Sequence, residues 1–288
     1  MEQVTMLKTT PLLRLGIIAD PQYAAIPHQE DTNRYYSNSL AKLRAAIHAF
    51  NLLDLDQVVV LGDLIDRGFE NFAPALQTFE ALRHPVMFLP GNHDFAVKPE
   101  QRGMVQAALD MPAPYYDRVI QGVRLIVTDC CDISTFAPPP GDPRLLEAET
   151  QLAALKAQGA INAQSWNAAI SDTQLEWLKS RLALAEQNGE KAIVLGHYPL
   201  HPFSDHALWN AEAVSKTIAA SPAAIAYLNG HDHRGNYGQL EHTHFINFKG
   251  MVDTERDNAF ATLTVFPDAL VIEGFGREED RTLTLTQL

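Results

Sequence analysis

Five short segments of the chain combine side chains that can bind a metal ion or move a proton. They are Asp20-Pro21-Gln22, Gly62 to Asp66, Gly91 to Asp94, Gly196-His197 and Gly230 to His233. Their donors are carboxylate and amide oxygens together with imidazole nitrogens, which suit Mn²⁺, Fe or Zn²⁺. Thiolates are missing from the set, which argues against a structural zinc site. A turn or a structural histidine would explain any one segment alone, but all five together predict a metal centre.

Each of these segments follows a short apolar run of the kind that forms a buried strand. The runs are Leu13 to Asp20, Gln57 to Asp63, Pro85 to Asn92, Lys191 to His197 and Ala224 to His231, with a sixth at Val123 to Asp129. Helical periodicity lies between them, at Asn33 to Leu53 and Asp172 to Gln187. Ligands of open α/β sheets bind at the carboxyl ends of the strands. We therefore expect the five segments to converge.

The C-terminal part contains strand-like runs without intervening helices, which favours antiparallel pairing. The runs are Thr243 to Lys249, Ala261 to Phe266, Ala269 to Gly274 and Arg281 to Leu288. Strands that alternate with helices, followed by strands alone, predict an α/β fold of two sheets packed face to face with helices outside. No internal repeat or long linker divides the chain, so we expect a single domain over residues 1–288.

The composition restricts the partners of the protein. The net charge of −13 disfavours binding to a nucleic-acid polymer, which needs a basic surface. No apolar run reaches the roughly 18 to 20 residues needed to span a bilayer, and Met1 to Thr10 lack the apolar stretch of a secretory signal. We therefore expect a cytoplasmic protein with no membrane partner. The sequence predicts no particular oligomeric state. The adjacent cysteines, Cys130 and Cys131, are expected to be buried without a disulfide.

In their order along the chain, the five segments resemble the pattern of the calcineurin-like metallophosphoesterases: D-x-[HQ], G-D-x-x-D, G-N-H-[DE], G-H and G-H-x-H. The resemblance implies the two-sheet αββα sandwich of that superfamily, with mixed sheets and a dinuclear metal centre. The implied ligands are Asp20, Gln22 and His233 for the first metal, Asn92, His197 and His231 for the second, and Asp63 for both. His93 would donate a proton or stabilise the transition state, and Asp94 would orient it.

Gln22 departs from the common form of the superfamily, which has histidine at this position. An amide oxygen is a harder and weaker donor than imidazole, which favours Mn²⁺ or Mg²⁺ over Zn²⁺ at the first site. Asp20-Pro21-Gln22-Tyr23 and Arg34-Tyr35-Tyr36 are similar to the manganese-dependent ADP-ribose/CDP-alcohol diphosphatases. That resemblance implies two Mn²⁺ ions, with Fe, Mg²⁺ or Zn²⁺ as alternatives. Asp94 stands where that family often has glutamate, and Asp132 to Asn167 match it poorly.

The same resemblance implies a hydrolase that cleaves a phosphoanhydride or phosphodiester bond in a small nucleoside diphosphate derivative, using a hydroxide between the two metals. Arg34 could clamp a second phosphate of the substrate, or it could be an ordinary surface arginine. The nearer alternative is a cyclic-nucleotide or glycerophosphodiester phosphodiesterase. A protein Ser/Thr phosphatase is disfavoured by Gln22, and an inactive metal-binding scaffold is disfavoured by the His93-Asp94 pair.

Overall fold

The structure, a computed structural model, describes residues 10–29 and 31–286. Nearly all of the N-terminal segment Met1 to Thr10, and the end of the predicted strand Arg281 to Leu288, lie outside these residues. Within them, the chain forms two mixed sheets of six strands each. No helix in these ranges is long and apolar enough to cross a membrane.

The first sheet has the strand order β12-β11-β10-β1-β2-β3. Its strands are β1 (Leu13–Ile18), β2 (Gln57–Leu61), β3 (Val86–Leu89), β10 (Ala259–Val265), β11 (Ala269–Gly276) and β12 (Arg281–Thr284). β1, β2 and β3 are parallel, with Ile17 opposite Val59 and Val59 opposite Met87. β10, β11 and β12 add antiparallel strands on the other side of β1.

The second sheet has the order β4-β5-β6-β7-β9-β8. Its strands are β4 (Tyr116–Ile120), β5 (Val123–Val127), β6 (Lys191–Leu195), β7 (Ala224–Asn229), β8 (Asn236–Leu240) and β9 (Thr243–Asn247). β5, β6, β7 and β9 are parallel, while β4 and β8 pair antiparallel at the two edges. The predicted run Thr243 to Lys249 therefore pairs in both ways, parallel to β7 and antiparallel to β8.

Within residues 10–29 and 31–286, six α-helices lie between the strands. They are α1 (Ser39–Phe50), α2 (Phe72–Phe79), α3 (Val105–Ala108), α4 (Arg144–Ala157), α5 (Asp172–Asn188) and α6 (Ala211–Ala219). α5 begins as predicted, because the Ser171 hydroxyl accepts a hydrogen bond from the Gln174 backbone N–H. α1 begins later than Asn33, because the backbone of Arg34 forms bridges with Gln29 and Asp253 instead.

The two sheets pack face to face through alternate residues of their strands. In β1, Leu13, Leu15 and Ile17 enter the layer between the sheets, and Leu125 and Val127 of β5 meet them there. The intervening positions face the outer helices; Ile18, for example, packs in the cluster that contains Leu43 and Ile47 of α1. The period of two along each strand gives one face to each layer. The predicted two-sheet sandwich with outer helices is confirmed, and Cys130 and Cys131 are buried free thiols.

Candidate metal centre

The predicted site residues lie just beyond the carboxyl ends of strands from both sheets. Asp20 and Asp63 follow β1 and β2 of the first sheet, and His197 and His231 follow β6 and β7 of the second. The two groups meet across the sandwich: His197 Nε2 is 3.4 Å from Asp63 Oδ2, and the His231 backbone N–H donates to Asp20 Oδ2 at 2.9 Å. The expected convergence of distant segments is therefore present.

The backbone at these strand ends is held in an uncommon conformation. Four predicted ligands have positive φ: Asp20 (48°), Gln22 (45°), Asp63 (53°) and His231 (69°). Non-glycine residues adopt this region rarely, and such strain concentrates at functional sites. The turns are also tied together, because the Gln22 backbone N–H donates to the Asp63 carbonyl at 2.7 Å. A Cβ at Gly91 would collide with the Asp63 carboxylate and the His197 ring, so glycine is required there.

The donor set fits divalent cations. Asp63, His197 and His231 offer ligand atoms that all lie within 4.8 Å of one another. Beside them, Gln22 Oε1 is buried without a hydrogen-bond partner, although its amide nitrogen lies 3.1 Å from both Asp63 Oδ2 and His233 Nε2. Buried polar atoms in native proteins are almost always satisfied. Turning the amide group by 180° would direct the oxygen, in place of the nitrogen, at these groups, and a cation bound there would satisfy it.

The electrostatics of the site favour positive charge. Burial alone would lower the pKa of His197, but the Asp63 carboxylate outweighs burial and raises that pKa to about 9. Burial also opposes protonation of His233, and its contacts with Asp20 and Asp253 nevertheless raise its pKa to about 9. Burial, and then the charge of His197, hold the pKa of His231 well below its usual value. A centre that attracts protons this strongly would also attract metal cations.

Two of the histidines are oriented by contacts at the nitrogen that faces away from the site. His197 Nδ1 lies 2.8 Å from the Leu61 carbonyl oxygen, and His233 Nδ1 lies 2.8 Å from Asp253 Oδ1. Both rings therefore direct Nε2 toward the carboxylates of the centre, as a second layer of hydrogen bonds commonly does for metal-binding histidines. Asp253 was not predicted from the sequence.

His93 lies at the open side of the centre, with a quarter of its side chain exposed. Its Nδ1 is 3.0 Å from Asp66 Oδ1 and 3.2 Å from the Asp66 carbonyl oxygen. Its backbone N–H donates to Asp63 Oδ1 at 2.8 Å. Burial and the charge of Arg34 lower the pKa of His93, but Asp63 and Asp66 outweigh them and the pKa is raised.

The structure corrects the prediction that Asp94 orients His93. The Asp94 carboxylate is fully buried and accepts hydrogen bonds from the backbone N–H groups of Ile65 at 3.0 Å and Gly91 at 2.9 Å. It therefore joins the turn after β2 to the turn after β3, while Asp66 makes the contact with His93. Sequence adjacency suggested the wrong partner, because neighbouring side chains at the end of a strand point in different directions.

Arg34 lies beside the first predicted metal position. Its backbone pairs with Asp253, the residue that contacts His233. Within residues 10–29 and 31–286, no hydrogen bond or ion pair of its guanidinium is found. The predicted interaction between Arg34 and a substrate phosphate stays a prediction, and the position of the residue is compatible with it.

A two-sheet sandwich whose strand ends converge on carboxylates, amides and histidines defines a metal-dependent phosphoesterase. Residues 13–235 match the calcineurin-like phosphoesterase family, and the chain belongs to that family. A dimetal phosphatase from Danio rerio has the same fold, with a TM-score of 0.86 and 24% identity over 96% of this chain and 100% of that one. The predictions of a hydrolase and of a centre for two divalent cations are thereby confirmed.

Two relatives share a more specific name, manganese-dependent ADP-ribose/CDP-alcohol diphosphatase. The one from Mus musculus is 28% identical over 95% of this chain and 93% of its own length. The one from Arabidopsis thaliana is 29% identical over 79% of this chain and 82% of its own length. The similarity therefore extends beyond the strand-end motifs to most of both chains.

Proposed function

We propose that this protein is a manganese-dependent diphosphatase that hydrolyses the phosphoanhydride bond of ADP-ribose or of CDP-alcohols. The observation that carries the proposal is similarity over nearly the whole chain to relatives that are named for this activity. Gln22 supports the choice of metal, because an amide oxygen suits Mn²⁺ better than Zn²⁺. We further propose that the protein acts in the cytoplasm on small molecules, since its acidic charge disfavours nucleic-acid polymers.

Two divalent cations would neutralise the phosphoryl oxygens and lower the pKa of the attacking water. The residues proposed to hold them form two groups that share Asp63: Asp20, Gln22 and His233 in one, and Asn92, His197 and His231 in the other. Substrate binding would place the cleaved phosphate between the groups, next to His93.

The contact between His93 and Asp66 defines which nitrogen is available for the substrate. With Nδ1 directed at Asp66, Nε2 is left to donate a proton or hydrogen bond to the departing oxygen. The leaving group of a phosphoanhydride is itself a phosphate, which carries charge well and needs less acid assistance than an alkoxide. His93 would therefore act mainly by stabilising the transition state of a diphosphate substrate.

Arg34 is proposed to hold the second phosphate of the substrate. It pairs through its backbone with Asp253 at the edge of the first metal position. A guanidinium there could make a charge-assisted contact with the phosphate that the cations do not bind. Only substrates with two phosphates would gain from this contact, so Arg34 offers a way to distinguish diphosphates from simple diesters.

The test compares kcat/KM for ADP-ribose, CDP-glycerol, cyclic AMP and a glycerophosphodiester with Mn²⁺ present. We expect the two diphosphates to be preferred, with AMP and ribose 5-phosphate released from ADP-ribose. Arg34→Ala should raise KM for them by about 10- to 100-fold, the value of a hydrogen bond to a charged group, and spare an aryl phosphodiester. Arg256→Ala is the matched control, because that arginine side chain is 88% exposed. Preference for the cyclic or glycerol diester would instead support a phosphodiesterase.

A further inference from the structure

His231 is buried and surrounded by other rings. Its ring lies 4.4 Å from that of Tyr198, 5.0 Å from that of His197 and 5.4 Å from that of His206, measured between centroids. Its Nε2 lies within hydrogen-bond distance of Asn167 Oδ1, at 3.1 Å. The tautomer of His231 therefore depends on which of these two atoms carries the hydrogen.

The surroundings of Asn167 settle that question. Its Nδ2 lies 3.0 Å from the Asn162 carbonyl oxygen and 2.7 Å from the Asp205 carbonyl oxygen. A carbonyl oxygen can only accept, so the amide group of Asn167 must direct its two N–H bonds to these oxygens. Its Oδ1 is then an acceptor, and His231 Nε2 must be the donor. The other ring nitrogen of His231, Nδ1, consequently keeps its lone pair.

We propose that Asn167 is a positioning residue that holds His231 as the Nε2–H tautomer and so presents the Nδ1 lone pair to the second metal. The inference rests on the metal centre proposed above, and it concerns metal retention rather than a step of the reaction. Hydrogen-bond partners of metal-binding histidines fix tautomer and ring orientation, and loss of such a partner weakens metal binding by about 10- to 100-fold.

The segment that carries Asn167 is anchored in a way that suits this role. Ile133 and Ala169 exchange two backbone hydrogen bonds of 2.9 Å, and the Tyr198 hydroxyl donates to the Trp166 carbonyl at 2.8 Å. Asn167 itself is completely buried. An aspartate here would direct a carboxylate oxygen at two backbone carbonyl oxygens. The position therefore requires both an acceptor for His231 and donors for the loop, which only an amide side chain combines.

Three variants of the full-length protein separate these two requirements. Asn167→Leu removes both the acceptor and the donors and keeps a branched side chain with the same number of heavy atoms, whereas Asn167→Asp keeps the acceptor and removes the donors. Asn162→Leu is the matched control, because this buried asparagine of the same segment donates to the Leu208 and Trp209 carbonyl oxygens and its side chain does not contact His231. Each protein is loaded with Mn²⁺ and titrated with a chelator, while free Mn²⁺ is followed by its electron paramagnetic resonance signal.

We expect wild type to hold two Mn²⁺ ions and Asn167→Leu to hold the second about 10- to 100-fold more weakly. Asn162→Leu should retain wild-type affinity, and Asn167→Asp should lose less affinity than Asn167→Leu because it keeps the acceptor for His231. Equal weakening in all three variants would overturn the inference and assign the asparagines to loop structure. Unchanged binding by Asn167→Leu would overturn it as well. Wild type that binds no Mn²⁺ would instead refute the proposed function, so the two failures are distinguishable.

A measurement on wild type needs no variant and remains informative if a variant fails to fold. The ring ¹⁵N resonances of His231 in the full-length protein distinguish the two tautomers before Mn²⁺ is added. We expect a hydrogen on Nε2 and a bare Nδ1. A hydrogen found on Nδ1 would overturn the inference.

Discussion

Substitutions of Asp94 test whether its carboxylate stabilises the fold or takes part in the reaction. Its two carboxylate oxygens accept from the backbone N–H groups of Ile65 and Gly91, at 3.0 and 2.9 Å, in a fully buried setting. Asp94→Ala would leave two buried donors without a partner, at about 1–3 kcal/mol each. The gross destabilisation is therefore about 2–6 kcal/mol, against total stabilities of about 5–15 kcal/mol for proteins in general.

The cost of burying the carboxylate reduces this figure. Burial, and then the negative charge of Asp63, raise the pKa of Asp94 to about 7, so the charged form is unfavourable where it lies. Because Asp94→Ala removes that penalty together with the two hydrogen bonds, we expect the lower half of the range, about 2–4 kcal/mol. Asp94→Asn keeps one acceptor oxygen, so its loss in free energy of unfolding should be about half that of Asp94→Ala.

The assay measures two quantities on the same proteins. Urea unfolding with a chelator present gives the free energy of unfolding without a contribution from metal binding. The second quantity is kcat at saturating Mn²⁺, measured under conditions in which the protein stays folded, and it reports on catalysis. Asp94→Asn should lose stability and keep most of its kcat, whereas Asp66→Asn should lose kcat because it removes the carboxylate that contacts His93. Unchanged stability of Asp94→Asn together with a hundredfold lower kcat would refute this reasoning and restore Asp94 as the partner of His93.

Three further predictions use other residues. His93→Ala should keep the fold and two Mn²⁺ ions but lose about 10²- to 10³-fold in kcat, the usual cost of removing a donor that stabilises the transition state. Gln22→His should shift metal preference toward Zn²⁺ or Fe without abolishing binding, as a competition between metals would show. Asp129→Asn should flatten the pH dependence of the free energy of unfolding, because burial, and then the charge of Asp132, raise the pKa of Asp129 to about 7.

The direction in which Asp129 makes the free energy of unfolding depend on pH follows from proton uptake by the folded protein. The folded protein keeps the proton up to about pH 7, whereas the unfolded chain releases it near 3.8. Stability is therefore lost as pH rises between these values, by at most about 4 kcal/mol in wild type. Parallel stability profiles of wild type and Asp129→Asn from pH 4 to 8 would contradict the prediction. For the other two, an unchanged kcat of His93→Ala at full metal occupancy, or identical metal selectivity of Gln22→His, would do so.

The parallel strands could be predicted because their sequences are nearly continuous apolar runs. All five residues of β2 and of β5 are buried, as strands covered on both faces must be. β4 (YDRVI) and β8 (NYGQL) lie at the two edges of the second sheet and are partly exposed. Because they contain polar residues and are not apolar runs, they were not predicted as strands. α4 was not predicted either, within the segment Asp132 to Asn167.

The predicted ligands were recognisable for the same reason, since each follows one of the buried runs. The residues that contact these ligands and His93 were not recognisable as partners, because only tertiary packing brings them together. Asn167 is 64 residues from His231, and Asp66 is 27 residues from His93. A lone asparagine or aspartate in a loop is common in any sequence. Only the neighbours that fix its side-chain orientation distinguish a positioning residue from an ordinary turn residue.

The partners of the three predicted histidine ligands also differ in charge, and the difference matches the donors at each metal position. His197 and His231 contact the neutral oxygens of Leu61 and Asn167, whereas His233 contacts the carboxylate of Asp253. A carboxylate partner raises the basicity of an imidazole ligand. The first position has one imidazole and the weak amide of Gln22, so its single histidine carries the stronger partner. This compensation is why Gln22→His is expected to change metal selectivity more than metal retention.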